Sequence, residues 1–155
     1  MTKNGILLIK LGMIKFLFSN ETDVAISKKI FEKIVGKSEK ALGIKKGEIG
    51  LALVSDKKIH ELNKKYRKKN KPTDVLSFAY TEGKNIAWTK SDLLQMGDIF
   101  ISIDTAKKQA KEHKHSLQKE LCILFTHGIL HLFGFDHGND KEEAEMEKWA
   151  KKILS

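Results

Sequence analysis

The sequence predicts a single α+β domain, in which a four-stranded mixed sheet carries packed helices and one central buried helix bears a histidine motif. Three observations support this. A chain of 155 residues suits one domain with one sizeable core. Short alternating apolar runs interleave with longer runs of helical period, the pattern of a mixed sheet covered by helices in two or three layers. Residues 121–133 are apolar nearly all round, as expected of a helix enclosed by the rest of the fold. The strand order is not legible from this pattern.

Each element follows from local chemistry. Residues 13–18 read as a short strand, and the polar stretch 19–22 offers capping groups. A helix follows over about 23–42, with Ile26, Ile30, Ile34 and Leu42 among its apolar positions and Gly43 closing it. Residues 48–54 alternate as a second strand. Asp56 is the expected cap of a helix over about 57–69 that turns Ile59 and Leu62 inward. Pro72, the single proline, marks a turn. Residues 75–79 form a third strand, 80–95 a loop, and 97–103 a fourth strand in which Ile99, Ile101 and Ile103 alternate with Phe100 and Ser102. Helices follow over about 105–113 and 116–133. The last helix, 140–154, sets Met146, Trp149 and Ile153 against the core and turns Glu142, Glu143, Glu145 and Glu147 to solvent.

Composition narrows the class. A chain that is 41% hydrophobic and 32% charged is a soluble globular one, and no run reaches the roughly 18 apolar residues of a membrane span. Residues 6–18 are apolar but interrupted by Lys10 and Lys15, and they lack a small-residue cleavage site, so no signal peptide is read. Met13 is a candidate original start. Residues 1–12 then form an N-terminal extension to a domain over 13–155. Cys122 is the only cysteine, which rules out an intrachain disulfide and leaves it as a small buried hydrophobe. A cytoplasmic location with no membrane partner is expected. The net charge of +9 favours a polyanion such as nucleic acid. However, 28 of the 29 basic residues are lysine, so compositional bias accounts for the charge equally well. Arg67 stands out as the only arginine.

The chemistry concentrates in residues 127–137. His127 and His131 are four residues apart, which on a helix places both rings on one face, one turn apart, within reach of one ion. Gly134 lies just past the helical run and can reverse the chain, so that His137 folds back as a third ligand. Three protein ligands leave a position for water, the catalytic pattern for zinc or another divalent transition metal. The plainer reading is a pair of core histidines, but two buried imidazoles each need a partner, and a metal supplies it. The same histidine spacing occurs in a class of zinc peptidases that carry Glu directly after the first His as general base. Here that residue is Gly128, which has no base to offer. Asp136 is a candidate to orient a ligand imidazole or act as a base beside the metal, against the reading of a turn residue. Asp74 and Asp98 sit near strand ends. Asn63, Thr73 and Ser77 read as structural, and His60 and His113 as surface residues. His115 is ambiguous between substrate contact and support of a cap at Ser116.

These residues resemble the YbeY family of bacterial metal-dependent endoribonucleases. Its signature H-G-x-L-H-L-x-G-[YF]-D-H is met at every fixed position from His127 to His137. A second block comprises Leu62, Asn63, Tyr66, Arg67 and the run Pro-Thr-Asp-Val-Leu-Ser-Phe over 72–78. A third is Gly97-Asp98-Ile99, and a fourth His115-Ser116 with Glu120. The resemblance covers about 13–155. Ala79 stands where the family often has proline, and residues 1–12 have no counterpart. The resemblance implies a three-histidine metal site in a cleft and cleavage of single-stranded RNA near the 3′ end of small-subunit (16S) ribosomal RNA. It also implies a part in ribosome quality control, with the small ribosomal subunit and its proteins as partners. Arg67 matches an arginine that matters for activity in the family. Its planar, permanently charged guanidinium suits a phosphoryl transition state, against the reading of a solvated helix residue. Attack by activated water and attack by the ribose 2′-OH both remain open. Lys64, Lys65, Lys68, Lys69 and Lys71 form either a backbone-binding track, with steep salt dependence, or a solvated face. The rival function is an RNA- or ribosome-binding maturation factor with a largely structural metal.

Overall fold

Caps and side-chain alternation set the limits of each element in the computed structural model, which describes residues 14–44, 46–80, 96–136 and 138–155. In chain order these are β1 (Ile14–Asn20), α1 (Lys28–Leu42), β2 (Gly47–Val54), α2 (Asp56–Arg67), β3 (Val75–Ala79), β4 (Gly97–Ser102), α3 (Ile103–Glu112), α4 (Leu117–Leu132) and α5 (Asp140–Leu154). Met13, the extension 1–12, residues 81–95 of the expected loop and His137 lie outside the described residues.

The strands form one mixed sheet in the order β1-β2-β4-β3. β1, β2 and β4 run parallel, and β3 pairs antiparallel with β4 at one edge. Side-chain alternation then divides the apolar residues between the two faces. Ile49, Leu51, Leu53, Ile99 and Ile101 join the larger core with residues of α1, α4 and α5. Val54, Leu76, Phe78 and Phe100 face the other way and pack with Ile59 and Leu62 of α2. At the heart of the larger core, the Phe125 ring of α4 lies 5.6 Å from Phe16 and 5.4 Å from Phe31. Phe31 and Phe125 are fully buried, and each such side chain stabilises the fold by about 1.5–3 kcal/mol relative to its exposed state.

Of the boundaries that differ from expectation, four have a clear local reason. α1 starts at Lys28, five residues later than the periodicity suggests. Asn20 accepts from the Thr22 N–H and donates to the Val24 carbonyl, so this stretch is bonded as a turn, and Ser27 caps the helix instead. Ser55, not Asp56, caps α2, accepting from the Lys58 N–H. Asp56 becomes the first helical residue, and its carboxylate accepts hydrogen bonds from Ser102 and Thr105. α2 stops at Arg67 because Lys68 takes the left-handed conformation (φ 60°), and its N–H closes on the Asn63 carbonyl. β4 ends at Ser102, whose hydroxyl caps α3, so Ile103 is the first residue of a helix and not the last of a strand.

Cys122 packs half-buried against the larger core. Burial pushes its thiol pKa up, partly offset by Lys33 and Lys37, so it remains protonated at neutral pH. No helix among the described residues is long and apolar enough to cross a membrane.

Candidate metal centre

The central helix α4 is held against the sheet through a residue with no side chain. A Cβ added at Gly128 would lie 2.8 Å from Ile99 Cγ2, so β4 occupies the space that any other residue there would need. The Gly128 carbonyl accepts a hydrogen bond from Ser77 Oγ at 3.2 Å, which ties α4 to the edge strand β3. Close packing fixes the position of the half-buried His127 and His131 relative to the sheet.

α4 ends in a tight reversal. The Phe135 N–H reaches the Leu130 carbonyl at 3.1 Å and the Gly134 N–H reaches the His131 carbonyl at 3.0 Å, the paired bonds of a Schellman turn. Gly134 takes φ 88° there, a conformation that L side chains rarely adopt. The reversal also orients an imidazole, since His131 Nδ1 lies 2.9 Å from the Phe135 carbonyl oxygen. A carbonyl only accepts, so Nδ1 carries the proton and the lone pair sits on Nε2. This is the arrangement by which metal-binding histidines are usually held, with one nitrogen anchored to a carbonyl and the other presented to the ion. This tautomer is the one that a transition-metal ion would require of His131.

Across the β3 edge, Arg67 at the end of α2 is half-buried, not simply solvated. Its Nη2 donates to the Ser77 carbonyl at 2.6 Å, and its guanidinium carbon lies 4.9 Å from the Phe78 ring centroid. The buried Asn63 donates to the Lys71 carbonyl at 2.8 Å and accepts from the N–H groups of Lys68 and Lys69, which shapes the following loop. Between these parts opens a cavity of about 760 Å³, lined among others by Arg67, Lys69, Lys71, His131, Phe135 and Asp136. Arg67, His131 and the exposed Asp136 thus line one space together with Lys69 and Lys71. Asp74 also lines it, with its carboxylate accepting from the Val75 N–H and, across the fold, from Gln109. Asp98 lies within β4 and accepts from the Tyr80 hydroxyl, and burial and this carboxylate push the Tyr80 pKa up.

A second cluster lies at the opposite end of α4. The ligand atoms of His113, His115 and Glu120 fall within 4.8 Å of one another, a spacing that can hold a metal ion. Sequence reasoning placed His113 on the surface and left His115 ambiguous. The exposed His113 and the less exposed His115 both turn onto Glu120, which is buried. A signal available in the sequence was Glu120, an acid at the start of a largely apolar helix.

The chain is similar to known proteins over most of its length. The family described as Endoribonuclease YbeY matches residues 17–155. A protein of that name from Prochlorococcus marinus is 46% identical over 106 residues, 68% of this chain and 56% of the relative's length. One from Bacillus pumilus is 43% identical, covering 79% of this chain and 80% of the relative. One from Caldicellulosiruptor bescii is 41% identical, covering 86% and 88%. The solution structure of TM1509 from Thermotoga maritima superposes with a TM-score of 0.58 at 27% identity, covering 92% of this chain and 89% of that one. A match over nearly the whole described domain, together with relatives above 40% identity, places the chain in the endoribonuclease YbeY family.

Proposed function

We propose that this protein is a metal-dependent endoribonuclease that cleaves single-stranded RNA in the maturation and quality control of ribosomal RNA, acting on the 3′ end of the 16S species and associating in the cytoplasm with the small ribosomal subunit. The observation that carries the reading is the meeting of Arg67 and His131 in one cavity. His127, His131 and His137 are the proposed ligands of one zinc or similar divalent ion, within a domain spanning 13–155. Such an ion supplies Lewis-acid activation of water or of a phosphate oxygen.

The residues of the chain do the rest. The phosphoryl transition state gathers negative charge on its oxygens, and Arg67 offers fixed positive charge and donors at any working pH. A guanidinium has five N–H donors, so anchoring by Ser77 is compatible with a phosphate contact. Lys69 and Lys71 on the cavity wall attract the flanking backbone. Asp136 lines the same cavity and is the proposed carboxylate for orienting an imidazole or accepting a proton. Arg67→Lys keeps the charge but loses the fork and the stacking on Phe78, and kcat is expected to fall on the order of 10²–10³-fold. Full cleavage by Arg67→Lys would remove Arg67 from the mechanism.

Tyr66 supports the single-strand preference. It is 55% exposed, its ring packs edge-on at 5.5 Å from Phe78, and Lys65 Nζ lies 5.2 Å from its centroid. An unpaired base can stack on such a ring, whereas a paired base has its faces covered. Tyr66→Ala is expected to weaken binding of single-stranded RNA by roughly 5- to 150-fold while duplex binding stays unchanged. Equal affinity of the variant and the natural chain in a fluorescence titration would refute the stacking role.

The function itself is tested on an end-labelled single-stranded RNA. Chelator-stripped protein is expected to bind but not cut, and reloading with zinc restores cutting. Binding without cleavage by the loaded protein would favour the maturation-factor reading instead.

A further inference from the structure

We propose that His113, His115 and Glu120 form a second site for a zinc-class divalent cation, one that staples α3 to α4 away from the RNA-cleaving cavity. Glu120 is only 2% exposed. A carboxylate taken out of water needs compensating positive charge or several hydrogen bonds. Among the described residues its partners are two imidazoles, both on the same oxygen: His113 Nδ1 at 3.1 Å and His115 Nε2 at 2.6 Å from Oε1. Two imidazole nitrogens and a buried carboxylate oxygen thus converge on one point, a grouping that a divalent cation can bridge.

The backbone preorganises the cluster. Lys114, between the two histidines, takes φ 56°, which turns the chain sharply at the corner. The N–H groups of His113, Lys114 and His115 are bonded to the carbonyls of Gln109, Lys111 and Ala110, and Ser116 caps α4 immediately afterwards. Both imidazoles are thereby delivered to Glu120 in the first turn of α4. Two imidazole nitrogens with one carboxylate oxygen are a donor set typical of zinc. Bonds of about 2.0–2.1 Å to a tetrahedral ion place ligand atoms about 3.3 Å apart, so ligand atoms that already lie within 4.8 Å of one another, two of the pairs at 2.6 and 3.1 Å, reach that spacing with small side-chain movements. The His113 side chain, 57% exposed, has room to move, and the open side of the cluster leaves a position for water. Glu120 and His127 are separated by about 10 Å along the helix axis, so one ion cannot serve both sets.

The site would fix the start of the helix whose far end carries His127 and His131. Its test does not depend on the RNA-cleaving function. Chelator-stripped full-length protein is titrated with zinc by calorimetry and with cobalt(II) by visible absorption. Replacing the exposed His113 by alanine is expected to lower the zinc stoichiometry by one per chain and to remove the matching part of the cobalt spectrum. Glu120→Gln, which keeps the shape, is expected to weaken the same step at least tenfold. In a His127→Ala/His131→Ala background one zinc should still bind, and at a hundredfold excess over Kd it should raise Tm by roughly 5–10 °C. Unchanged stoichiometry and cobalt spectrum in His113→Ala would overturn the proposal and leave a histidine–carboxylate ion pair. Should the double variant fail to fold, the His113→Ala comparison in the natural chain decides alone.

Discussion

His131→Ala is expected to abolish RNA cleavage while leaving the protein folded. His131 lies in the last turn of α4, half-buried at the cavity wall, and alanine there is the best helix former. The structural loss includes the hydrogen bond from Nδ1 to the Phe135 carbonyl. Such a bond contributes about 0.5–1.5 kcal/mol, which in a domain of this size lowers Tm by only a few degrees, at roughly 2–4 °C per kcal/mol. The functional loss is far larger. Removing a group that merely orients a metal ligand costs about 10–100-fold, so removing a ligand itself should cost on the order of 10³-fold or more. The two scales differ enough to be separated by measuring a melt and a rate on the same preparation. A variant that melts within a few degrees of the natural protein but no longer cuts, and that has lost one bound metal, fits the proposed role. A variant that cuts normally would show that the ion, or the chemistry, sits elsewhere. One that melts far lower would make His131 a structural residue of the α4 reversal.

Much of this architecture was legible because it is encoded locally. The alternation of Ile99 and Ile101 with Phe100 placed β4 and assigned its faces, and the glycines at 43 and 134 marked two helix ends, since both take positive φ. The boundaries that shifted are places where side chains compete for backbone groups. Asn20 bonds its own turn ahead of α1, and Ser55 and Ser102 cap helices that periodicity alone would begin elsewhere. The strand order was out of reach because pairings such as Ile49 with Gly97 join residues far apart in sequence. The same limit applies to the site. Spacing puts His127 and His131 on one helix face, but nothing local indicates that Arg67 reaches across β3 to the cavity containing His131, or that His113 and His115 meet on Glu120. Those meetings depend on the sheet edge and on a corner turned by Lys114 in a conformation that sequence rarely betrays in a lysine.

Gly128→Glu, which recreates the histidine-glutamate pattern of zinc peptidases, is expected to prevent folding and not to create a peptidase. Gly128→Ala gains about 0.8–1.0 kcal/mol of helix propensity. Its Cβ, however, would stand 2.8 Å from Cγ2 and 3.0 Å from Cδ1 of Ile99. Ile99 is 1% exposed, β-branched and central in a strand paired on both sides, so it cannot swing away cheaply. Overpacking of this kind costs about 1–3 kcal/mol, which exceeds the propensity gain over most of that range. Gly128→Ala should therefore fold with Tm lowered by a few degrees. Glutamate adds a further methylene and a carboxylate, pressed against the sheet core. An uncompensated buried charge costs about 3–5 kcal/mol, and together with a clash of about 1–3 kcal/mol this is enough to unfold a domain in the lower half of the roughly 5–15 kcal/mol stability range. Thermal melts followed by circular dichroism would decide the matter. An Ala variant as stable as the natural protein would mean that α4 can lift from β4, and a folded Glu variant would mean that the sheet does not exclude a base at this position. If both behave as expected, the missing glutamate has a physical cause. This helix presents histidines from one face and needs bare backbone on the next, because its neighbour in the fold is a strand that leaves no room for a side chain.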